Sequence, residues 1–221
     1  MELLGRAAVS LLCAAALAGC RGEKRPAPEE VSHQLIEVIE DNLALRTGPV
    51  GHGAWRSEAT YVLVEAKNNA EGDVMVTLAG DLVGQGGEVI GPLRRESLRV
   101  PAGGTRLFAL VDQDQKARPA ATGARVRVAG AVPATGPAPV VVTDGHVYRD
   151  GDRADLNGTV VNSADGTATV VVFFAFFDEA GAPLKRVSTV FRLAPRARRG
   201  AHWVGPAGSA SGSMFIGDVT Y

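Results

Sequence analysis

The chain has 221 residues, and its 23 basic residues nearly balance its 24 acidic residues, which gives a formal net charge of −1. With 46% hydrophobic residues, a chain of this length can bury one or two cores. Neither half is strongly basic, so we expect no nucleic-acid partner.

An apolar segment from Ala7 to Ala18 opens the chain. It is too short to span a bilayer and ends in small residues, which is typical of a secretory signal. The tetrapeptide Leu17-Ala18-Gly19-Cys20, which closes the segment, resembles the lipobox of bacterial prolipoproteins. The resemblance implies cleavage between Gly19 and Cys20, removal of residues 1–19 as a signal peptide, and a lipid on Cys20. The alternative is an ordinary signal peptide that contains a cysteine by chance.

The lipid on Cys20 would be the membrane attachment of the mature protein. Cys13 lies in the leader, so the mature chain has one cysteine and no intramolecular disulfide. Residues 20–32 are polar and contain Pro26 and Pro28. They predict an extended tether of about 30 to 40 Å. Because Arg21 rather than Asp follows the cysteine, the resemblance implies the outer membrane of a bacterial cell envelope.

The segment from Val31 to Leu45 fits two secondary structures. Its apolar residues would suit an amphipathic helix. Val140 to Tyr148, which holds the same place before the second copy of an internal repeat, has the composition of a strand. We therefore predict a first strand from Leu35 to Leu45.

An internal repeat covers most of the remaining chain. Asn68-Asn69-Ala70-Glu71-Gly72 matches Asn162-Ser163-Ala164-Asp165-Gly166 at an offset of 94 residues (162 minus 68). The offset slips briefly to 93 where Leu98 matches Phe191. Asn and Gly at fixed places are turn residues, so the repeat is structural. We predict two domains of one fold, residues 33–129 and 140–221, joined by a Pro-rich linker at 130–139.

Each copy consists of short segments in which apolar and polar residues alternate, as in half-buried strands. The Glu-Gly and Asp-Gly pairs after Asn68 and Asn162 are typical of hairpin connections. The pattern predicts an all-β fold of two tandem antiparallel immunoglobulin-like β-sandwiches. Beyond the first strand, we predict strands at 62–67, 74–83, 97–100, 105–111, 125–129, 140–148, 156–161, 168–177, 190–193, 201–204 and 214–221.

The second copy carries the sequence Phe174-Ala175-Phe176-Phe177-Asp178, with Gly181 three residues later. This segment resembles the FxLYD family of small immunoglobulin-like β-sandwiches in exported prokaryotic proteins. In the first copy the same places hold Gly80, Leu82, Val83 and Gly84, so only Leu82 keeps the pattern there. The resemblance implies a binding or spacer module on the cell envelope without catalytic residues.

The two copies differ on one face of their central strand. Val171, Phe173 and Ala175 in the second copy replace Thr77, Ala79 and Asp81 of the first. An apolar strip on a face that should meet solvent usually marks a contact. We therefore predict an interface at Val171, Phe173 and Phe177, with the first domain or with another envelope protein. The alternative is that neighbouring side chains or the linker cover the strip within its own domain.

No other group of residues predicts chemistry. Asp150-Gly151-Asp152 and Asp155 lack the spacing of a calcium loop, so a polar turn is the simpler interpretation. The histidines have no partners at metal-ligand spacing, and the serines near the C terminus lack the context of a nucleophile. We therefore expect no catalytic residue, no metal and no cofactor. The four histidines are His33, His52, His146 and His202, and the serines are Ser209, Ser211 and Ser213.

A locally basic segment lies in the second copy and has two interpretations. It comprises Lys185, Arg186, Arg192, Arg196, Arg198 and Arg199. It could meet anionic head groups or polymers. Alternatively, it is a solvated turn whose charges keep a sheet edge from pairing.

These observations predict a lipid-anchored protein that acts as a non-enzymatic binding or scaffolding module. The alternative function is a solute- or glycan-binding lipoprotein. That function needs a cleft with convergent polar and aromatic groups, for which Trp55 and Trp203 are candidates.

Overall fold

The computed structural model describes residues 29–51, 56–136 and 138–221. These residues form twelve β-strands and one short 3-10 turn, His33–Leu35, with no α-helix in the described part. The all-β prediction is confirmed. The leader, Cys20, His52, Trp55 and most of the tether lie outside the described residues. The strands are β1 (Ile36–Val50), β2 (Ser57–Asn68), β3 (Val74–Val83), β4 (Val89–Val100), β5 (Thr105–Val111), β6 (Gly123–Pro133), β7 (Val140–Asp150), β8 (Arg153–Asn162), β9 (Ala168–Phe177), β10 (Pro183–Leu193), β11 (Arg198–Val204) and β12 (Ser211–Thr220).

The strands form two antiparallel β-sandwiches with the same topology. In the first sandwich, sheet A has the order β1-β2-β5 and sheet B the order β4-β3-β6. In the second, sheet C has the order β11-β8-β7 and sheet D the order β10-β9-β12. β2 pairs with β5 and β3 with β6, which are the crossed pairings of immunoglobulin-like sandwiches.

The turns after Asn68 and Asn162 do not close hairpins, so that prediction is wrong. β2 and β3 lie in different sheets, as do β8 and β9. The turn carries the chain from one layer of the sandwich to the other because both strands bury alternate side chains in the core between the sheets. Val62 and Val64 of β2 are fully buried there, as are Val76 and Leu78 of β3.

A buried asparagine closes this crossing in each sandwich. The Asn68 amide donates from Nδ2 to the carbonyls of Gly72 (2.8 Å) and Val100 (3.1 Å), and its Oδ1 accepts from the Ala70 N–H (2.9 Å). Asn162 repeats this arrangement with the Gly166 carbonyl (2.9 Å) and the Ala164 N–H (3.0 Å). Both side chains are fully buried. Each amide therefore ties the crossing turn to the neighbouring turn between β4 and β5, or between β10 and β11.

Several strands extend beyond their predicted limits. β4 begins at Val89 and β10 at Pro183, well before the predicted starts at residues 97 and 190. The polar and basic residues in these stretches obscure the alternation, and the β3–β4 register shifts near Gly80. A side chain at Gly80 would overlap the Arg125 carbonyl, so the close approach of β6 requires glycine there.

The linker is shorter than predicted. β6 continues to Pro133, which lies opposite Val74, so residues 130–133 belong to the first sandwich and the connection spans 134–139. Pro133 is compatible with this place because β6 is an edge strand and its last residue needs no ladder donor. Ala131 is fully buried in the first core.

The phenylalanine-rich end of β9 contributes to the core and to the outward face of sheet D, and the residues that follow it form the turn to β10. Phe174 and Phe176 are fully buried in the core of the second sandwich, whereas Phe177 faces outward. Asp178 then fixes the turn to β10, because its Oδ1 accepts from the N–H groups of Ala180 (2.9 Å) and Ala182 (2.8 Å). Gly181 completes that turn with a φ of 82°.

We expect replacement of either buried asparagine to destabilise its sandwich. Asn68→Ala or Asn162→Ala leaves buried carbonyls and one N–H without a partner, which costs about 1–3 kcal/mol of unfolding free energy. Urea denaturation followed by circular dichroism measures the effect. Asn69→Ala is the control, because the Asn69 side chain is exposed and makes one long hydrogen bond (3.4 Å) to Glu37. Equal stability of the Asn68 and Asn69 variants would contradict this role.

Candidate functional site: the interface between the two sandwiches

The outward face of sheet D is covered by the first sandwich. Phe173, Ala175 and Phe177 alternate along β9 with the core residues and point away from sheet C. Ala175 is fully buried and Phe215 of β12 is 3% exposed, and both belong to the core cluster of the first sandwich. Phe173 and Phe177 pack against the same cluster. The second sandwich is therefore docked on the first through sheet D.

Sheet A supplies the opposing surface. Leu63 alternates with the inward-facing Val62 and Val64, so it lies on the outward face, yet it is fully buried. Leu107 of β5 lies opposite Glu65 on the same outward face and is 2% exposed. Strand β10 lies against β1, β2 and β5. The layers therefore follow the order B, A, D, C, with an apolar contact between A and D.

The two copies of the repeat differ at the outward-facing positions that form this contact. The strand pairings place Leu63 opposite Ala109 in the first copy and Asn157 opposite His202 in the second, and these two polar residues lie on the uncovered outward face of sheet C. Conversely, the repeat matches Phe173 to Ala79 and its neighbours on β9 to the polar Thr77 and Asp81. Each copy therefore has one outward face that suits the other copy and one that suits solvent.

Arg186 lies at the centre of the contact. Its side chain is 2% exposed, and its Cζ lies 3.8 Å from the centroid of the Phe173 ring, a cation–π distance. Nη2 forms an ion pair with Glu96 Oε1 of the first sandwich, while Glu96 Oε2 accepts from the Ala109 N–H (2.7 Å). The guanidinium nitrogens make no well-aligned hydrogen bond to a described residue. The Arg186 Cζ also lies 5.9 Å from the centroid of the Phe215 ring. The charge is therefore compensated by one carboxylate and two aromatic rings.

Polar contacts also occur at the margin of the interface. Arg46 of β1 donates from Nη2 to the Pro183 carbonyl of β10 (3.2 Å). Arg106 of β5 has its Cζ 5.0 Å from the centroid of the Phe215 ring. Both contacts join the first sandwich to the second at positions outside the apolar centre of the interface.

The structure separates the three residues of the predicted interface. Phe173 and Phe177 lie against the first sandwich. Val171 lies opposite Val190, which is 59% exposed, and Val171 is not among the residues packed against the first core. The contact thus covers the part of β9 near its C-terminal end and leaves Val171 beside an exposed valine.

The sequence reasoning missed Arg186, which it grouped with a solvated basic segment. Its place opposite Ala175 on β10 puts it on the outward face of sheet D, which is the signal that could have found it. The other arginines of the segment differ: Arg196 pairs with Asp165 (2.7 Å) and Arg198 with Asp144 (3.5 Å), both exposed. Arg199 stacks on Phe191 at 4.7 Å.

The remaining sequence candidates lie apart from the interface. Asp150 and Asp152 flank an exposed turn, and Asp155 Oδ1 lies 2.9 Å from His202 Nε2. Among residues 29–51, 56–136 and 138–221, no three His, Cys, Asp or Glu side chains are grouped as metal ligands. Trp203 packs on the second core, with its ring 5.6 Å from that of Phe174, rather than in a cleft.

The first described residues and the connection between the sandwiches lie at the same end of the molecule. We call it the asparagine end, because it contains the turns after Asn68 and Asn162. The Val31 N–H donates to the Ala131 carbonyl (2.9 Å), close to the last residues of β6. The connection at 134–139 starts there and leads to the corresponding end of the second sandwich. The opposite end, which we call the loop end, carries the connections at 84–88, 112–122, 151–152, 178–182 and 205–210.

The longest described connection at the loop end is internally organised. The carboxylate of Asp112 is fully buried and accepts from the N–H groups of Asp114 (3.1 Å) and Lys116 (3.2 Å). Arg118 pairs with it from Nε (2.8 Å), and this hydrogen bond raises the pKa of the Arg118 guanidinium. The loop therefore presents Lys116, whose side chain is 68% exposed, on a fixed backbone.

Comparisons with known proteins give no family. No family model and no curated protein matches the chain. Among solved structures, a transglutaminase from red sea bream is similar over 80% of this chain and 30% of its own chain, with 15% identity and a TM-score of 0.26. This chain thus spans about 30% of that structure's length, and the likeness carries no argument about function. In the described part of the chain, no helix is long and apolar enough to cross a membrane.

We expect removal of one partner of the buried ion pair to cost more stability than replacement of both. Glu96→Ala leaves the Arg186 charge buried without a carboxylate and should lower the unfolding free energy by about 3–5 kcal/mol. The double variant Glu96→Leu with Arg186→Met replaces the whole pair by apolar side chains and should be neutral, or stabilising by about 1–4 kcal/mol. Chemical denaturation measures both changes. A larger loss for the double variant than for Glu96→Ala would contradict the assignment.

Proposed function

We propose that this protein is a lipid-anchored component of the bacterial cell envelope that acts as a non-enzymatic binding or scaffolding module. The resemblance of Leu17-Ala18-Gly19-Cys20 to a lipobox supports the anchor, and the polar sequence at 20–32 supports a tether. The docked sandwiches support the scaffold, because two units joined by a buried contact can hold a binding surface at a fixed distance from the bilayer. The outer membrane is the proposed site of attachment.

The observation that carries the proposal is the separation of the asparagine end from the loop end. The tether joins the folded part beside Ala131, at the asparagine end. A lipid on Cys20 would therefore place that end toward the bilayer and the loop end away from it. The loop at 112–122, which exposes Lys116, then lies at the end remote from the bilayer, and we take it as the contact for another envelope protein.

The anchor is tested by replacing the cysteine. Cys20→Ser removes the thiol that would be acylated, so we expect the protein to move from the detergent phase to the aqueous phase in detergent phase partition of whole cells. The wild-type protein should incorporate a radiolabelled fatty acid, and the variant should not. Equal partition and equal labelling of both proteins would contradict lipidation at this residue.

The scaffold is tested by crosslinking in intact envelopes, followed by identification of the captured proteins. We expect Lys116→Glu, a charge reversal at the loop end, to remove a captured protein. Arg192→Glu is the matched control, because it is an exposed charge reversal of the same sign near the asparagine end. Loss of the same protein in both variants, or in neither, would count against the loop end as the contact.

A further inference from the structure

A cleft of about 260 Å³ lies between the two sandwiches at the asparagine end. One wall comes from the first sandwich and contains Asp73, Arg99, Pro101 and Arg106. The other wall comes from the second sandwich and the connection, and it is apolar: Ala138, Val140, Val141, Val142, Met214, Phe215 and Ile216. The cleft therefore places a charged wall opposite an aliphatic one.

The polar groups of the charged wall differ in how many hydrogen-bond and ion-pair partners they have within the protein. Asp73 and Arg99 satisfy each other through a 2.8 Å ion pair, and Asp73 also accepts from the Ala102 N–H (3.1 Å). That N–H is the main reason why the pKa of Asp73 lies below its ordinary value. Arg99 also donates from Nη2 to the Gly136 carbonyl (2.9 Å). This pair therefore offers little to a ligand.

Arg106 is the exception. Its Nη1 donates to the Thr105 carbonyl (2.9 Å), but its Nε is buried without a hydrogen-bond partner. Among the described residues, no carboxylate lies within ion-pair distance of its guanidinium. Burial lowers the pKa of Arg106, and the charge of Asp73 only partly offsets this effect. A cation beside an apolar cavity is complementary to an anion that carries an apolar body.

We propose that this cleft binds a short aliphatic carboxylate, with its anionic group on Arg106 and its chain against Val140, Val142 and Met214. A carboxylate accepts two hydrogen bonds from a guanidinium, so a small rotation of Arg106 can pair both Nε and a terminal nitrogen. A cleft of about 260 Å³ lies just below the range of about 300–1,000 Å³ that is usual for small-molecule pockets, so we expect a small ligand. Hexanoate, a short aliphatic chain with a carboxylate, represents this class.

The ligand would contact both sandwiches and so stabilise their docked arrangement. The site adds a solute-binding function to the proposed scaffold, and it is independent of the loop end and of Cys20. Failure of the binding test leaves the anchoring and crosslinking predictions unaffected.

The test is thermal unfolding of the full chain in a non-ionic detergent with added hexanoate. We expect a saturable rise in Tm of about 3–5 °C at a tenfold excess over the dissociation constant. Acetate lacks the chain and 1-hexanol lacks the charge, so neither should shift Tm to this extent. Isothermal titration calorimetry with hexanoate gives the stoichiometry, which should be one per chain.

Two variants assign the site. Arg106→Met removes the cation and keeps the stem, and Val141→Glu places a negative charge on the opposite wall while it leaves Arg106 intact. Each should weaken hexanoate binding at least tenfold. Arg127→Met is the control, because Arg127 is exposed and does not line the cleft. No saturable response of the wild-type protein, an equal response to 1-hexanol, or unchanged binding in both cleft variants would overturn the proposal.

Discussion

The contact of Arg186 with Phe173 and Glu96 joins the two sandwiches, and the geometry of the rest of the molecule depends on it. A guanidinium that is 2% exposed loses its hydration, and one carboxylate and two aromatic rings replace it. Such a pair contributes little net stability compared with apolar residues of the same size. It does penalise other arrangements, because any shift of sheet D on sheet A would leave the charge buried without Glu96. The apolar residues around it, Leu63 and Phe215 among them, supply the favourable burial.

The remaining architecture follows from two copies of one sandwich that differ in their outward faces. The buried amides of Asn68 and Asn162 make the same hydrogen bonds in both copies, so the crossing turn is built alike in each. The outward faces that meet, on sheets A and D, are apolar at the contact, whereas sheets B and C carry polar residues on theirs. Because sheet A packs on sheet D in this way, the Asn68 and Asn162 turns lie at the same end of the molecule. The tether, the connection and the Arg106 cleft consequently share that end, and the loops occupy the other.

Local sequence patterns predicted three strands at their observed limits. β3, β5 and β9 begin and end where predicted, because clear turn residues border their apolar runs. β4 and β10 were predicted too short, since a register shift and outward charges interrupt their period of two. The turn after Asn68 was predicted as a hairpin because Asn and Gly are common both in hairpins and in turns that cross from one sheet to the other. The burial of Arg186 depends on Glu96, 90 residues earlier (186 minus 96), and no local pattern carries that information.

The central claim is that the sandwiches form one docked unit through sheets A and D. The most direct test is the distance distribution between spin labels at Val89→Cys and Asp152→Cys, two exposed positions at the loop end of each sandwich, with Cys20 acylated. We expect one narrow distribution, which broadens when Phe173→Ser is added while both sandwiches stay folded by circular dichroism. A broad distribution in the protein with Phe173 intact, or one that Phe173→Ser leaves unchanged, would contradict the central claim.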